Sequence, residues 1–288
     1  MRLDLTEGNP FKQIFMFSLP IIIGNIFQQL YSMADTIIVG HTVSSDAMSG
    51  VGCTNSISFL VLGLVWGLTS GFAVRTSQFF GAKDENGMRK SIAASFELCI
   101  AMTIILTAIA VPLSGPLLRA MKTPEQYYDY AYYYLIVIFF GIGATILYNI
   151  AANTLRAVGD SRTPLFCLIF SAVLNVGLDF LCIVGFKMSY TGAGVATIAS
   201  QFISGAVCVV YMFKAYPKLR PKKSDWAFNP VMLKGHIAVG LPMALQYSIT
   251  AIGCVFQQTA LNGLNAAMPG VVTGYTAATK IDNIAMQT

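Results

Sequence analysis

Charge is scarce in this chain: Asp, Glu, Lys and Arg make up 11% of its 288 residues, where soluble domains carry about 25%. Most side chains have no water to face, which excludes an ordinary soluble fold. Histidine is nearly absent, with only His41 and His236. The six cysteines (Cys53, Cys99, Cys167, Cys182, Cys208 and Cys254) form no Cys-x-x-Cys pair and lie away from both histidines. A transition-metal centre therefore has no ligand set, the cysteines read as small buried apolar residues, and no cofactor is expected. The net charge of +5 would suggest nucleic acid in a soluble protein, but these basic residues sit between apolar runs, where they set topology. No nucleic-acid partner is expected.

What is present is a series of long apolar runs, near residues 14–39, 50–74, 92–118, 130–155, 164–186, 190–213 and 237–261, with an eighth beginning near 270. Each is long enough to cross a hydrocarbon core of about 30 Å at about 1.5 Å per helical residue. The expected fold is all-α, a polytopic membrane protein. Residues 1–215 form a six-helix lobe, 216–234 a cytoplasmic linker rich in proline and lysine, and 235–288 the start of a second lobe. Lysine and arginine alternate by loop, fourteen on the side of the amino terminus against three on the other. That bias puts the amino terminus and the linker in the cytoplasm. The first run carries Asp35 and lacks a small-residue cleavage pattern, so it is not expected to be a cleaved signal. The tyrosine cluster between Tyr127 and Tyr134 falls at the outer interface, where amphipathic rings settle.

The chain also repeats itself. Asn9-Pro10 followed by Leu19-Pro20 recurs as Asn229-Pro230 followed by Leu241-Pro242, and Gly50 recurs as Gly274. Six spans separate the copies, an even number, so the repeats are expected to be parallel, related by an axis along the membrane normal. The sequence then ends part-way through the second copy and reads as truncated. Gln257 occupies the place of Asp35.

Three acids fall inside the first seven runs: Asp35 alone in the first, Asp179 alone in the fifth, and Glu97 in the third, which sits close to the basic cytoplasmic loop and is expected to face water or lysine. A carboxylate near the middle of a span costs about 2.5–3.5 kcal/mol on insertion scales, and intramembrane acids usually mark ion paths. With the amino terminus inside, Asp35, Asp179 and Thr197 all lie about 6–10 Å below the outer surface. Asn175, four residues before Asp179, shares its helix face. Two carboxylates, an amide and a hydroxyl offer the hard oxygen ligands that a small cation without transition-metal character prefers. The same set suits a proton, because burial and like charge both favour the protonated acid. The bland alternative has Asp179 and Asn175 bonding neighbouring helices and Asp35 capping a break. Pro20, in the first third of the first span, frees a carbonyl and permits a bend. The run Gly192-Ala193-Gly194 mimics a dinucleotide turn but opens a membrane helix, so the match carries nothing.

Several segments together resemble the multidrug and toxic compound extrusion (MATE) family: Leu19-Pro20, YSMADTI at 31–37, NTLRAVGD at 153–160, LNVGLD at 174–179, and GAGVAT at 192–197 before the basic linker. The resemblance implies two six-helix lobes around a V-shaped cavity and exchange of sodium or protons for organic, often cationic, compounds across the plasma membrane. It implies a cation-coupling set of Asp35, Asn175, Asp179 and Thr197, a bending proline at Pro20, and polar cavity positions at Gln28, Tyr134 and Asn153. The expected partners are a small organic substrate, a coupling cation and the lipid bilayer, with the protein a monomer. The alternative is a related flippase for a lipid-linked head group, whose cavity would need arginine or lysine. An intramembrane aspartyl protease lacks its signatures, since Asp35 follows Ala34 and Asp179 follows Gly177-Leu178; no enzyme is expected.

Overall fold

The structure, a computed structural model, describes residues 9–42, 45–186, 188–265, 267–268 and 270–286. These form helices α1 (Pro10–Thr42), α2 (Ser45–Gly81), α3 (Glu85–Ala120), α4 (Glu125–Phe140), α5 (Ile142–Ala157), α6 (Arg162–Asp179), α7 (Ser189–Ala215), α8 (Pro230–Leu264) and α9 (Val271–Met286). Among the described residues there is no strand, and six helices are long and apolar enough to cross a membrane, or seven if α4 and α5 count as one bent span. The apolar runs of the sequence thus all become helices.

The repeated Asn-Pro pair has the same job at both places. Asn9 Oδ1 accepts from the Phe11 amide at 3.0 Å and Asn229 Oδ1 from the Met232 amide at 3.1 Å, while Pro10 and Pro230 take the first helical position. Each asparagine satisfies an orphan amide, and each proline brings none to satisfy. α8 consequently starts at Pro230, inside the stretch read as linker. The rest of that stretch is pinned rather than loose. It forms two short 3-10 turns, Pro217–Leu219 and Lys223–Trp226. Asp225, buried, meets Arg89 of α3 at 3.3 Å, and Lys218 pairs with Glu85 at 2.5 Å.

The fourth run is broken where the sequence predicts one helix: α4 and α5 meet at 50° around Gly141. A Cβ on Gly141 would collide with the Ile198 side chain, so the missing side chain lets α7 press into the bend. Thr107 Oγ1 donates to the Phe139 carbonyl at 3.3 Å beside this break. α1, in contrast, runs through Pro20 as a single helix.

The core lies along α2–α7 in three stacked clusters. Met88, Ile92, Leu155 and Met212 fill the linker end, Phe72, Met102, Ile142 and Ile146 the middle, and Ile57, Leu118, Leu135 and Phe139 the opposite end. Large apolar side chains also face outward, such as Ile104 and Ile109 on α3 and Ile249 and Phe256 on α8. Such a surface suits lipid rather than water.

The most extensive helix contact joins α2 to α8. Gly63, Gly67 and Gly71 recur every four residues along one ridge of α2. A Cβ on Gly67 would strike the Ala244 backbone, and one on Gly71 the Gly240 backbone. Small residues at this spacing let backbones approach, which is how helices associate where lipid supplies no hydrophobic drive.

Candidate functional site

The sequence-read acid of the fifth run is the last residue of α6. Asp179 is completely buried, and Asn175 one turn earlier is 1% exposed. Immediately after Asp179 the helix widens into a π turn, Phe180–Gly185, in which the Phe186 amide reaches back to the Leu181 carbonyl at 2.9 Å. π turns of this kind re-aim neighbouring side chains and are frequent at functional sites. Gly192 of α7 makes room for the turn, since a Cβ there would stand 3.2 Å from Cys182 and Ile183. The glycines of Gly192-Ala193-Gly194 are thus packing contacts on a helix; Gly194 takes Val137 and Tyr134 of α4 against its bare face.

Asn175 Nδ2 donates to Thr197 Oγ1 across the α6–α7 contact at 3.4 Å. Its Oδ1 is buried and has no hydrogen-bond partner among the described residues. An amide oxygen left so costs about 1–3 kcal/mol, so the arrangement favours any species that brings positive charge or a donor to this spot. The structure brings Asn175 and Thr197 together and sets Asp179 one turn on from Asn175 in α6. Asp35 belongs to α1, but its side chain lies outside the described residues. The helix that carries it does reach this region: Ile38, three residues on, packs against the buried cluster Ala47, Val51, Ile183 and Ala193, with Tyr134 at its edge.

The other positions are placed apart. Tyr134 is half-buried beside that cluster, and Gln28 is half-buried on α1. Asn153 is buried between α5 and α2, its Nδ2 3.3 Å from Thr69 Oγ1 and 3.4 Å from Ser70 Oγ, its Oδ1 accepting from Arg156 at 2.9 Å. Its polar atoms are thus taken by α2 and by Arg156 of its own helix.

Sequence reading missed two polar groups at opposite ends of α8. At the linker end, fully buried His236 meets Ser91 Oγ of α3 through Nε2 at 2.9 Å and the Met232 carbonyl through Nδ1 at 2.8 Å, and Ser91 Oγ is 3.0 Å from Thr76 Oγ1 of α2. At the other end, Asn262 accepts from Gln258 at 3.0 Å and from the Cys53 thiol at 3.6 Å, and donates to the Met121 carbonyl at 2.9 Å. Both groups sit near span ends, where polar residues are ordinary, so the sequence offers no signal beyond two adjacent amides at 257–258. A third polar knot lies in the α5–α6 turn. Burial opposes ionisation of Asp160, but hydrogen bonds from the Thr163 amide and hydroxyl, the Tyr216 hydroxyl and the Arg162 amide outweigh it and hold this carboxyl below its ordinary range.

Comparisons with known proteins agree with this geometry. The family model described as MatE matches residues 20–181. The chain is 33% identical over 283 residues to the probable multidrug resistance protein YpnP of Bacillus subtilis (strain 168), covering 98% of this chain and 62% of that protein. It is 31% identical over 252 residues to the probable multidrug resistance protein NorM of Thermotoga maritima, covering 84% and 53%. The chain thus spans just over half to three-fifths of these curated relatives. In structure it is similar to a MOP superfamily transporter from Pyrococcus furiosus, with a TM-score of 0.81 at 24% identity over 98% of this chain and 66% of that one. It is also similar to an outward-facing MATE family transporter, with a TM-score of 0.80 at 23% identity over 99% and 66%. With an all-α membrane fold, a matching family model over more than half its length, and transporter structures that superpose on nearly all of it, the chain belongs to the MatE family.

Proposed function

We propose that the protein acts in cation-coupled antiport, exporting organic, often cationic, compounds in exchange for sodium or protons by alternating access. The relatives named above are described as probable multidrug resistance proteins, and this chain covers only part of their length. The observation that carries the reading is the buried pair on α6. Asp179 is fully enclosed, and one turn away Asn175, whose Nδ2 donates to the Thr197 hydroxyl, presents an oxygen with no hydrogen-bond partner among the described residues. Carboxylate, amide and hydroxyl oxygens are the donors that a sodium ion takes, and a proton on the acid would serve the same site. The packing of Ile38 near the π turn supports a contribution from Asp35 of the same helix.

In this reading the amino terminus and linker are cytoplasmic, the membrane is the plasma membrane, and the protein is a monomer and a transporter rather than an enzyme. The two lobes divide at the linker, and the ion biases α1, with Pro20 the place where it bends. Gln28 and Tyr134, both half-buried, would face the compound, and Asn153 would join them only after movement, since it is now bonded to α2. Ion and compound then weaken each other's binding reciprocally, typically by about 1–3 kcal/mol.

The test is thermal unfolding of the purified protein across sodium concentration and pH. A bound ion stabilises by mass action, about 2.7 kcal/mol at a hundredfold excess over its dissociation constant. D179N should abolish the sodium dependence, or remove the part of the pH dependence that Asp179 supplies, while leaving helix content unchanged. A melting curve with the same sodium and pH response in D179N as in wild type would defeat the proposal. Efflux from vesicles under a sodium gradient against a proton gradient then identifies the ion.

A further inference from the structure

At the end of the bundle opposite the linker, α3 and α4 border an open cavity of about 510 Å3 that has no part in the α6–α7 site. Its α4 wall carries three tyrosines. Tyr128 and Tyr132 stack with centroids 6.0 Å apart and planes 7° from parallel, and Tyr133 sets its edge against Tyr132 at 5.5 Å. Gly115 forms the floor, where a Cβ would stand 3.3 Å from the Tyr128 hydroxyl and 3.4 Å from the Tyr132 ring.

Two opposite charges line the cavity. The Arg119 guanidinium lies over Tyr128, 5.8 Å from its centroid, and Asp129 opens the next turn of α4. Neither is in an ion pair among the described residues, although both border one space. Pro116 has no amide hydrogen to give the Pro112 carbonyl one turn back, and Pro112 also lines the cavity, so a backbone acceptor stands without its helical donor. From there α3 presents an outward stripe of Leu113, Ile109 and Ile105, 45%, 52% and 55% exposed.

A lone anion would use Arg119 and leave Asp129 and the apolar stripe without purpose. An organic cation would have to approach Arg119. A zwitterionic lipid meets all of them: phosphate at Arg119 and the tyrosine hydroxyls, ammonium at Asp129, the Pro112 carbonyl and the ring faces, and an acyl chain along the isoleucines. Tyrosines favour this head-group depth. We propose that the α3–α4 cavity binds the head group of a phosphatidylethanolamine-type phospholipid, in the leaflet opposite the linker.

The experiment is native mass spectrometry of the detergent-purified protein with equimolar phosphatidylethanolamine, phosphatidylglycerol and phosphatidylcholine. Phosphatidylethanolamine should be retained in preference to both others. R119Q should lower its retention about tenfold, the loss of one charge-assisted hydrogen bond. D129N should remove the preference over phosphatidylglycerol while leaving phosphate-dependent retention, and G115L, which fills the floor, should lower retention of all three. Melting temperatures of R119Q and D129N, both at exposed positions, check that the fold survives. Equal retention of the three lipids by wild type, an unchanged preference in both charge variants, or displacement by free phosphate or tetraphenylphosphonium would overturn the proposal. D179N should retain the lipid as wild type does, so failure of the ion site and failure of this site are told apart.

Discussion

Asp179, Asn175 and Asp160 show how one residue type or its amide can do three things in one chain. Asp179 announces itself in the sequence because it is the only charge in its run, and Asn175 follows from helical spacing. Asp160 lies in a polar turn, where an acid is unremarkable, yet it ties α5, α6 and α7 together through Thr163, Arg162 and Tyr216. Since its folded carboxyl is held below the ordinary range, its contribution is complete above the unfolded value of about 4 and is lost as pH falls through the folded value. D160N should therefore lower stability by about 1 kcal/mol at pH 7, allowing for its half exposure. The difference from wild type should shrink below about pH 3, as read by melting temperature against pH. That Asn175 meets Thr197 across α6 and α7 fits the common depth the sequence assigns to Thr197 and to Asp179, whose helix face Asn175 shares. The role of Asn153 was not legible, because an amide reaching a neighbouring hydroxyl leaves the same sequence trace as one facing a cavity.

Helices were the most legible elements and their interruptions the least. Every apolar run became a helix, but the bend at Gly141 lies where the Ile198 side chain of α7 presses in, and the π turn after Asp179 packs its Cys182 and Ile183 on the bare face of Gly192 in α7, contacts that no local pattern records. Gly141 is one of 25 glycines, and only Ile198 distinguishes it from Gly177 or Gly253, which have nothing within 4 Å of an added Cβ. G141A should cost about 1–3 kcal/mol through overpacking, and I198A should relieve part of it. A double-mutant cycle by chemical unfolding, with a coupling above about 0.5 kcal/mol, checks the pair. An additive double variant would mean the bend has another cause.

At the scale of the whole molecule the α2–α8 seam holds the chain together. Its glycine spacing is visible in α2 once α8 is known to lie opposite, but the sequence does not say which helix does. G67A and G71A should each destabilise by about 1–3 kcal/mol, because a methyl group would meet backbone rather than a yielding side chain. G253A on the same α8, with open space around it, should be neutral or stabilise by up to about 1 kcal/mol through helix propensity. Thermal melts of the three variants side by side decide it. H236F should keep a ring against Phe72 while leaving Ser91 without its imidazole partner, at a cost of about 1–3 kcal/mol.

The side-chain hydrogen bonds described between α8 and α2, α3 or the turn after α3 fall at its two extremities, Ser91–His236 at one and Cys53, Gln258, Asn262 and Met121 at the other. Between them the two rods touch along the bare glycine ridge of α2, beside which Trp66 and Tyr247 set edge against face with centroids 6.3 Å apart. Such a bearing resists separation strongly, and turning one rod on the other has to carry this ring pair along as well as the two clasps. Undoing either clasp alone therefore leaves the rods joined.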